Sequence, residues 1–444
     1  MKRYRKRELL KIVETLYKAN DTIGQNLKKA AKDEMVVLLT QSQELAITLG
    51  NIVETEGTQG KQIIPVLEAF CETIYQMVTT LSNEIYCRKL LKKAQKQINL
   101  IKKQIQFEFP EDKKEILFLP YKASMWDSLE SVWIAAEADE DCDAYVMPIP
   151  YYDKNADGSL GQLHYEGNEY PAYVPITSLK EYNIAEHRPD VIYFHNPYDD
   201  TNLVTSVHPM FYASKLKEYT DMLVYIPYFV AIHDTVEEHF CVLPGTIYAD
   251  RVIVQSEKVR QIYIEQFQKF ESQNSCEGKF GKAEEKFLAL GSPKYDKAVT
   301  AKIEDFTIPD HWKKLVWKED GNRKKVVLYN TSIECMLKNP GKMIWKIQDV
   351  LKKFKEEKDI VLLWRPHPLL KPTLQAMCGE AFQCFTAIEA DYISGGWGIY
   401  DTSAELYRAI TLADAYYGDW SSVVEIYQKT GKPVMIQDVE IAEC

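Results

Sequence analysis

From residue 116 onward, short continuous apolar runs alternate with stretches in which apolar residues recur every three or four positions. Runs at 116–119, 190–194, 222–226, 251–254 and 287–290 lack the polar alternation of a strand with one wet face, and helical patterns at 124–137 and 256–270 lie between them. Strands buried on both faces and alternating with helices specify a parallel sheet covered by helices. Residues 272–285 are polar and contain glycine, which reads as a surface loop. The same grammar returns after a charged, poorly periodic stretch at 300–324, with runs at 326–329, 360–364, 413–417 and 434–436 and helical patterns at 343–356, 404–412 and 422–429. A chain of 444 residues exceeds the roughly 250–300 residues at which single cores stop growing. The expected fold is therefore α/β with two Rossmann-like lobes, residues 109–305 and 306–444. No internal repeat or low-complexity tract interrupts them.

Residues 1–108 follow another pattern. Between Gly60 and Phe107 there is no glycine and one proline, Pro65, while Leu67, Phe70, Ile74, Met77, Leu81 and Ile85 form one apolar stripe at helical spacing. A second helix is expected over 35–53, with 54–60 as the turn between them, so that the chain begins with an α-helical hairpin or small bundle. Basic residues fall there in two runs. Six of the first eleven residues are Lys or Arg, and Arg88, Lys89, Lys92, Lys93, Lys96, Lys102 and Lys103 follow with no acid among them. Two readings stand for this module: it packs on the main body or on a second copy as a homodimer, or its basic face meets anionic lipid or an acidic partner.

A content of 46% hydrophobic and 27% charged residues suits a globular protein. No stretch approaches the about 18 uninterrupted apolar residues of a membrane span, and the basic N-terminus leads into Glu8 instead of an apolar signal core. Nine cysteines from Cys71 to Cys444, odd in number and without a Cys-x-x-Cys pair, fit a reducing cytosol better than a disulfide framework or zinc ribbon. A cytoplasmic chain is expected, with the inner face of the membrane as a peripheral station. A net charge of −11 counts against nucleic-acid binding. His233, Asp234, Glu237, Glu238 and His239 lack the His-Glu-x-x-His spacing, so no metal is predicted.

In open α/β sheets, ligands bind beyond the carboxyl ends of the strands. Four such ends draw attention. At the first, Pro366 and Pro368 fix the backbone around His367, whose imidazole can donate to a phosphate or leaving group beside the fixed charge of Arg365; the plain alternative is a turn histidine satisfied locally. At the second, Ser422 and Glu425 have capping-box spacing, which sets a helix start just after Gly418, Asp419, Trp420 and Ser421 and suits an anion, unless the side chains only cap. The third joins Gly291, for close backbone approach, to Lys294, for a phosphate. At the fourth, His195 with Asp199 and Asp200 can hold an acceptor hydroxyl and remove its proton, or form a solvated turn.

Taken in order, these pieces resemble the CDP-glycerol glycerophosphotransferase family of teichoic-acid and related surface-polymer enzymes, over roughly residues 115–440. The carriers are Gly291, Pro293, Lys294 and Asp296; Arg365, His367 and Pro368; Gly418, Asp419, Ser421 and Ser422; and Gly431, Lys432 and Pro433. The His-Pro and Ser-Ser elements also resemble those of CMP-sialic acid transferases, so a cytidine nucleotide is the shared implication. The family's Trp-His-Gly element has no match; residues 224–229 stand there, so that either another residue, such as His195 or His233, takes that histidine's role as base or the chemistry differs. The resemblance implies a GT-B-like fold with the donor held by the C-terminal lobe, and a bacterial cell-wall or capsule transferase. In that reading glycerol phosphate, or a similar polyol phosphate, passes from a CDP-activated donor to a hydroxyl of a polymer or its lipid-linked precursor. His367, Arg365, Lys294, Gly291, Ser421 and Ser422 serve the donor phosphates from neighbouring strands, Asp419 and Glu425 the nucleotide, and His195 and Asp199 the acceptor. Positive groups stand where other enzymes use a metal, so no cofactor is expected. A glycosyltransferase using a CMP- or UDP-sugar, and a non-catalytic nucleotide-binding or partner-binding protein, are the alternatives.

Overall fold

The computed structural model describes residues 1–27, 32–56, 60–110 and 112–437. Residues 57–59 of the expected 54–60 turn, and Cys444, lie outside these ranges. The chain divides into two compact units, residues 1–116 with 139–143 and 182–190, and the remainder.

The first unit is built on four helices, α1 (Arg3–Asn26), α2 (Lys32–Thr55), α3 (Ile63–Thr79) and α4 (Glu84–Glu108). Each packs on the next and α4 returns to α1, which makes a four-helix bundle around Leu9, Val13, Leu39, Leu49, Phe70, Ile74, Ile98 and Ile101. The apolar stripe expected to run unbroken from Leu67 to Ile85 ends at Met77. Leu81 falls in a turn, and Ile85 is 75% exposed. The break lies at Asn83, whose side chain accepts the Tyr86 N–H at 3.1 Å and so starts a new helix. By length and composition alone α2 could cross a membrane, yet its Met35, Leu39, Ala46, Leu49 and Val53 are buried in the bundle core. Part of the first basic run is paired inside this unit. Lys2 pairs with Glu115 at 2.9 Å, and Arg3 and Arg7 with Asp190 at 3.3 and 2.7 Å.

The second unit carries two Rossmann-like lobes. The strands of the first sheet are β1 (Lys114–Leu119), β2 (Cys142–Val146), β5 (Val191–Phe194), β7 (Met222–Tyr225), β8 (Arg251–Val254) and β9 (Phe287–Ala289), in the spatial order β2-β1-β5-β7-β8-β9. From β5 to β9 the pairing is parallel. The second sheet has β10 (Lys325–Thr331), β11 (Ile360–Pro366), β12 (Ile399–Tyr400), β13 (Ala415–Gly418) and β14 (Val434–Ile436), all parallel, in the order β12-β11-β10-β13-β14. That order is the doubly wound 3-2-1-4-5 arrangement, with its reversal between β10 and β13. The lobe's apolar layers, Val326, Leu328, Val361, Leu363 and Tyr416 on one face and Tyr329, Leu362 and Trp364 on the other, explain the continuous runs in the sequence.

A third sheet, β4-β3-β6, is antiparallel and was not expected; its strands are β3 (Tyr151–Lys154), β4 (Leu160–His164) and β6 (Thr205–Val207). Its hairpin turns through Gly158 at φ 82°, with Asp157 accepting the Ser159 N–H.

Candidate functional site

In doubly wound sheets the carboxyl edge at the strand-order reversal is where ligands bind, and in the second sheet that reversal falls between β10 and β13. Gly418 is needed there: at φ 136° an added Cβ would lie 2.3 Å from the Asn330 carbonyl oxygen, so no side chain fits. Asn330, at the end of the central strand, ties the rim together. Its side-chain nitrogen donates to the Arg365 carbonyl at 2.9 Å, and its oxygen accepts from Ser421 Oγ at 3.0 Å and Tyr416 Oη at 3.3 Å. Asn330 was not among the expected site residues. Its only signal in the sequence was a polar residue at the end of an apolar run.

His367 stands exposed at the tip of β11. Its backbone N–H continues the sheet to the Thr331 carbonyl at 3.0 Å, and its Nδ1 accepts the Leu369 N–H at 3.1 Å. A neutral imidazole that accepts at Nδ1 carries its proton on Nε2. Desolvation lowers the ring's pKa, which favours this neutral form with Nε2 as an N–H donor. Ser421 is the actual N-cap of the Ser422–Gln428 helix: its Oγ accepts the Val423 N–H at 3.3 Å. The cap thus lies one residue before the expected one, and Ser422 is exposed in the first turn. His367 and Ser421 are not on neighbouring strands. β10 lies between β11 and β13, which separates the two tips by about 10 Å.

Several expected ligands are turned away from the rim by stronger partners. The Arg365 guanidinium is buried, ion-paired to Asp401 and donating to the Ser403 carbonyl at 2.7 Å. Asp419 is fully buried. It accepts from Lys346 Nζ at 2.5 Å and from the Ser332 N–H at 2.7 Å, and burial raises its pKa against the opposing pull of the ammonium. Lys294 holds both oxygens of Asp127, at 2.6 and 2.7 Å, and Tyr407 from the second lobe donates to the same carboxylate at 2.8 Å. Gly291 supplies the left-handed turn at φ 100°, with open space where a Cβ would point.

His195 and Asp199, expected to face the acceptor, are both buried within the first lobe. His195 sits at the first lobe's own reversal, between β1 and β5, and plugs it. Its Nε2 accepts the Tyr121 N–H at 2.9 Å and its Nδ1 lies 2.8 Å from Ser128 Oγ, which itself donates to the Met125 carbonyl. Complete burial drives its pKa down to about 3, so the ring is neutral and satisfied. Asp199, at φ 50°, accepts the Ala213 N–H with both oxygens at 3.0 and 3.1 Å, and burial pushes its pKa up to about 7.

The first lobe reaches the rim through His233 instead. Its ring stacks on Trp420, with centroids 4.4 Å apart and planes 25° from parallel. Glu425 does not complete a capping box; it accepts the His233 N–H at 2.9 Å and the Trp420 Nε1–H at 3.3 Å, so one carboxylate holds both lobes. His233 and Asp234 are consecutive non-glycine residues in the left-handed region, at φ 54° and 52°. Such backbone costs of order 1–3 kcal/mol per residue and persists only where surrounding contacts fix it. Gln255 supplies part of that fixation by donating to Asp234 at 2.8 Å and bonding both backbone groups of Ala231. Among the described residues, no group of three or more His, Cys, Asp or Glu side chains is arranged to hold a metal ion.

No family model matches the sequence. A search of curated proteins gives no match either. Solved structures do resemble the chain. A UDP-N-acetylglucosamine 2-epimerase is similar over 73% of this chain and 79% of its own, at 12% identity and a TM-score of 0.44. The Methanocaldococcus jannaschii UDP-GlcNAc 2-epimerase, in complex with UDP-GlcNAc and UDP, is similar over 73% and 83%, at 11% identity and a TM-score of 0.41. The wall teichoic acid polymerase TagF is similar over 72% and 69%, at 15% identity and a TM-score of 0.37.

Proposed function

We propose that this chain is a transferase that moves glycerol phosphate, or a similar polyol phosphate, from a CDP-activated donor to a hydroxyl of a surface polymer or its lipid-linked precursor. The observation that carries this reading is His367: exposed at a strand tip, set between two prolines, and with Nδ1 occupied by the Leu369 N–H, which leaves the proton of the neutral ring on Nε2. In the proposed reaction the acceptor oxygen attacks the distal phosphorus, the bond from that phosphorus to the bridging oxygen breaks, and CMP leaves with the bonding electrons. His367 Nε2–H donates to the oxygen that gains charge, and the first turn after Ser421 receives the other phosphate across β10. His233, the exposed first-lobe histidine at the rim, takes the acceptor proton in place of the enclosed His195. Arg365, Asp419 and Lys294 position the strand ends without touching the donor.

Thermal-shift titration with CMP, CDP-glycerol, UDP and CMP-sialic acid tests the donor class, since a ligand at 100 times its Kd stabilises by about 2.7 kcal/mol. Stabilisation by the cytidine ligands, release of CMP from CDP-glycerol, and a roughly 100- to 1,000-fold lower turnover in His367→Ala are the expected results. Stabilisation by UDP alone favours the nucleotide-sugar alternative. A donor that binds and is returned unchanged favours the binding-protein alternative.

A further inference from the structure

The two basic runs of the first unit meet different fates. In the one at the N-terminus, Lys2, Arg3 and Arg7 pair with Glu115 and Asp190, and Arg5 with Glu8. In the one on α4, Arg88 pairs with Glu84, while Lys89, Lys92, Lys93, Lys96 and Lys103 are exposed and none has an acidic partner among the described residues. Successive helical residues turn by about 100°, which places these five lysines on one arc of roughly 100° together with Ile85, Leu100 and Phe107. Those apolar residues are 75%, 45% and 85% exposed. The opposite face of α4, with Cys87, Leu90, Ala94, Ile98, Ile101 and Ile105, is the one the bundle buries. No acid occurs between residues 85 and 107, a span of about 33 Å along the helix.

We infer that the outer face of α4 docks on an anionic lipid surface. A polyanion or an acidic protein would be served by lysines alone. Here large apolar side chains stand at both ends of the lysine row and within it, fully outside the bundle core. That is the composition of a helix lying in a membrane interface, with apolar side chains among the headgroups and lysine stems bent toward phosphate. The stripe is a local exception on a chain whose net charge is −11. This inference does not depend on the donor chemistry proposed above.

Flotation of the full chain with vesicles tests it. Binding is expected to vesicles of phosphatidylcholine and phosphatidylglycerol in equal parts, not to phosphatidylcholine alone, and to weaken between about 0.1 M and about 1 M salt. Lys89→Gln/Lys93→Gln/Lys96→Gln weakens it by roughly fivefold per lysine, and Ile85→Ser/Phe107→Ser weakens it at least severalfold. All five positions are exposed, so circular dichroism of both variants matches that of the parent. The inference is overturned if anionic vesicles do not bind the chain, or if the lysine variant binds as the parent does. It is also overturned if the lysine variant loses binding while the apolar variant keeps it, since that pattern marks a face for an acidic macromolecule.

Discussion

The buried pair of Lys346 and Asp419 offers a direct trial of whether Asp419 supports the rim or contacts the nucleotide. Both side chains are fully enclosed at 2.5 Å separation, and Asp419 also holds the Ser332 N–H. Asp419→Asn keeps an oxygen for that N–H but leaves an ammonium without its carboxylate in the interior. Removing one partner of a buried pair costs about 3–5 kcal/mol, which lowers the melting temperature of a lobe of this size by roughly 10 °C. Lys346→Met has a similar effect at neutral pH. Its cost shrinks in acid, because burial already raises the Asp419 pKa and the carboxyl takes up a proton once the cation is gone. The double variant joins two neutral groups and should lose less than the sum of the singles by at least about 2 kcal/mol. Calorimetry of the four proteins with and without CMP measures all these quantities. A fully stable Asp419→Asn that no longer binds nucleotide would refute the supporting role and return Asp419 to the donor site.

Other consequences are testable in the same protein. His195 has a folded-state pKa held near 3, below its ordinary 6.5; its contribution to stability is complete above pH 6.5 and is lost, by about 1.4 kcal/mol per pH unit, as pH falls toward 3. A His195→Gln variant, followed by acid denaturation, should show a shallower loss over that window. Asp199 works in the opposite sense: its folded-state pKa is raised to about 7 from 3.8, so stability declines as pH rises between these values. Asp199→Asn should remove that decline in melting curves taken at pH 5 and pH 8. Trp420→Ala removes the ring under His233; the lost stacking, about 0.5–1.5 kcal/mol, should appear as a roughly 2- to 12-fold weaker donor affinity in calorimetric titration.

The course of the chain was legible where burial is two-sided. Runs such as 360–364 and 326–329 announce central parallel strands because nothing polar fits between two helical layers. The break between α3 and α4 was hidden because it contains neither glycine nor proline; only Asn83, a good cap, marked it. The hairpin of β3 and β4 was missed although Asp157 and Gly158 carry its turn signal, since the flanking strands are short and half wet. At the site, position in sequence located the strand tips, and His367 and Ser421 are there. Side-chain direction was another matter. It depends on partners far along the chain, Asp401 for Arg365, Lys346 for Asp419 and Asp127 for Lys294, and no local pattern encodes them. The same holds for His233, whose neighbours Trp420 and Glu425 lie nearly 200 residues away.

A crystal structure of the chain with CMP or CDP-glycerol bound bears most closely on His367. A phosphate oxygen within hydrogen-bond distance of His367 Nε2, with the nucleotide lying across the end of β10 toward Ser421, is the result expected. A nucleotide seated elsewhere, or one that leaves the imidazole facing solvent, contradicts the proposed chemistry.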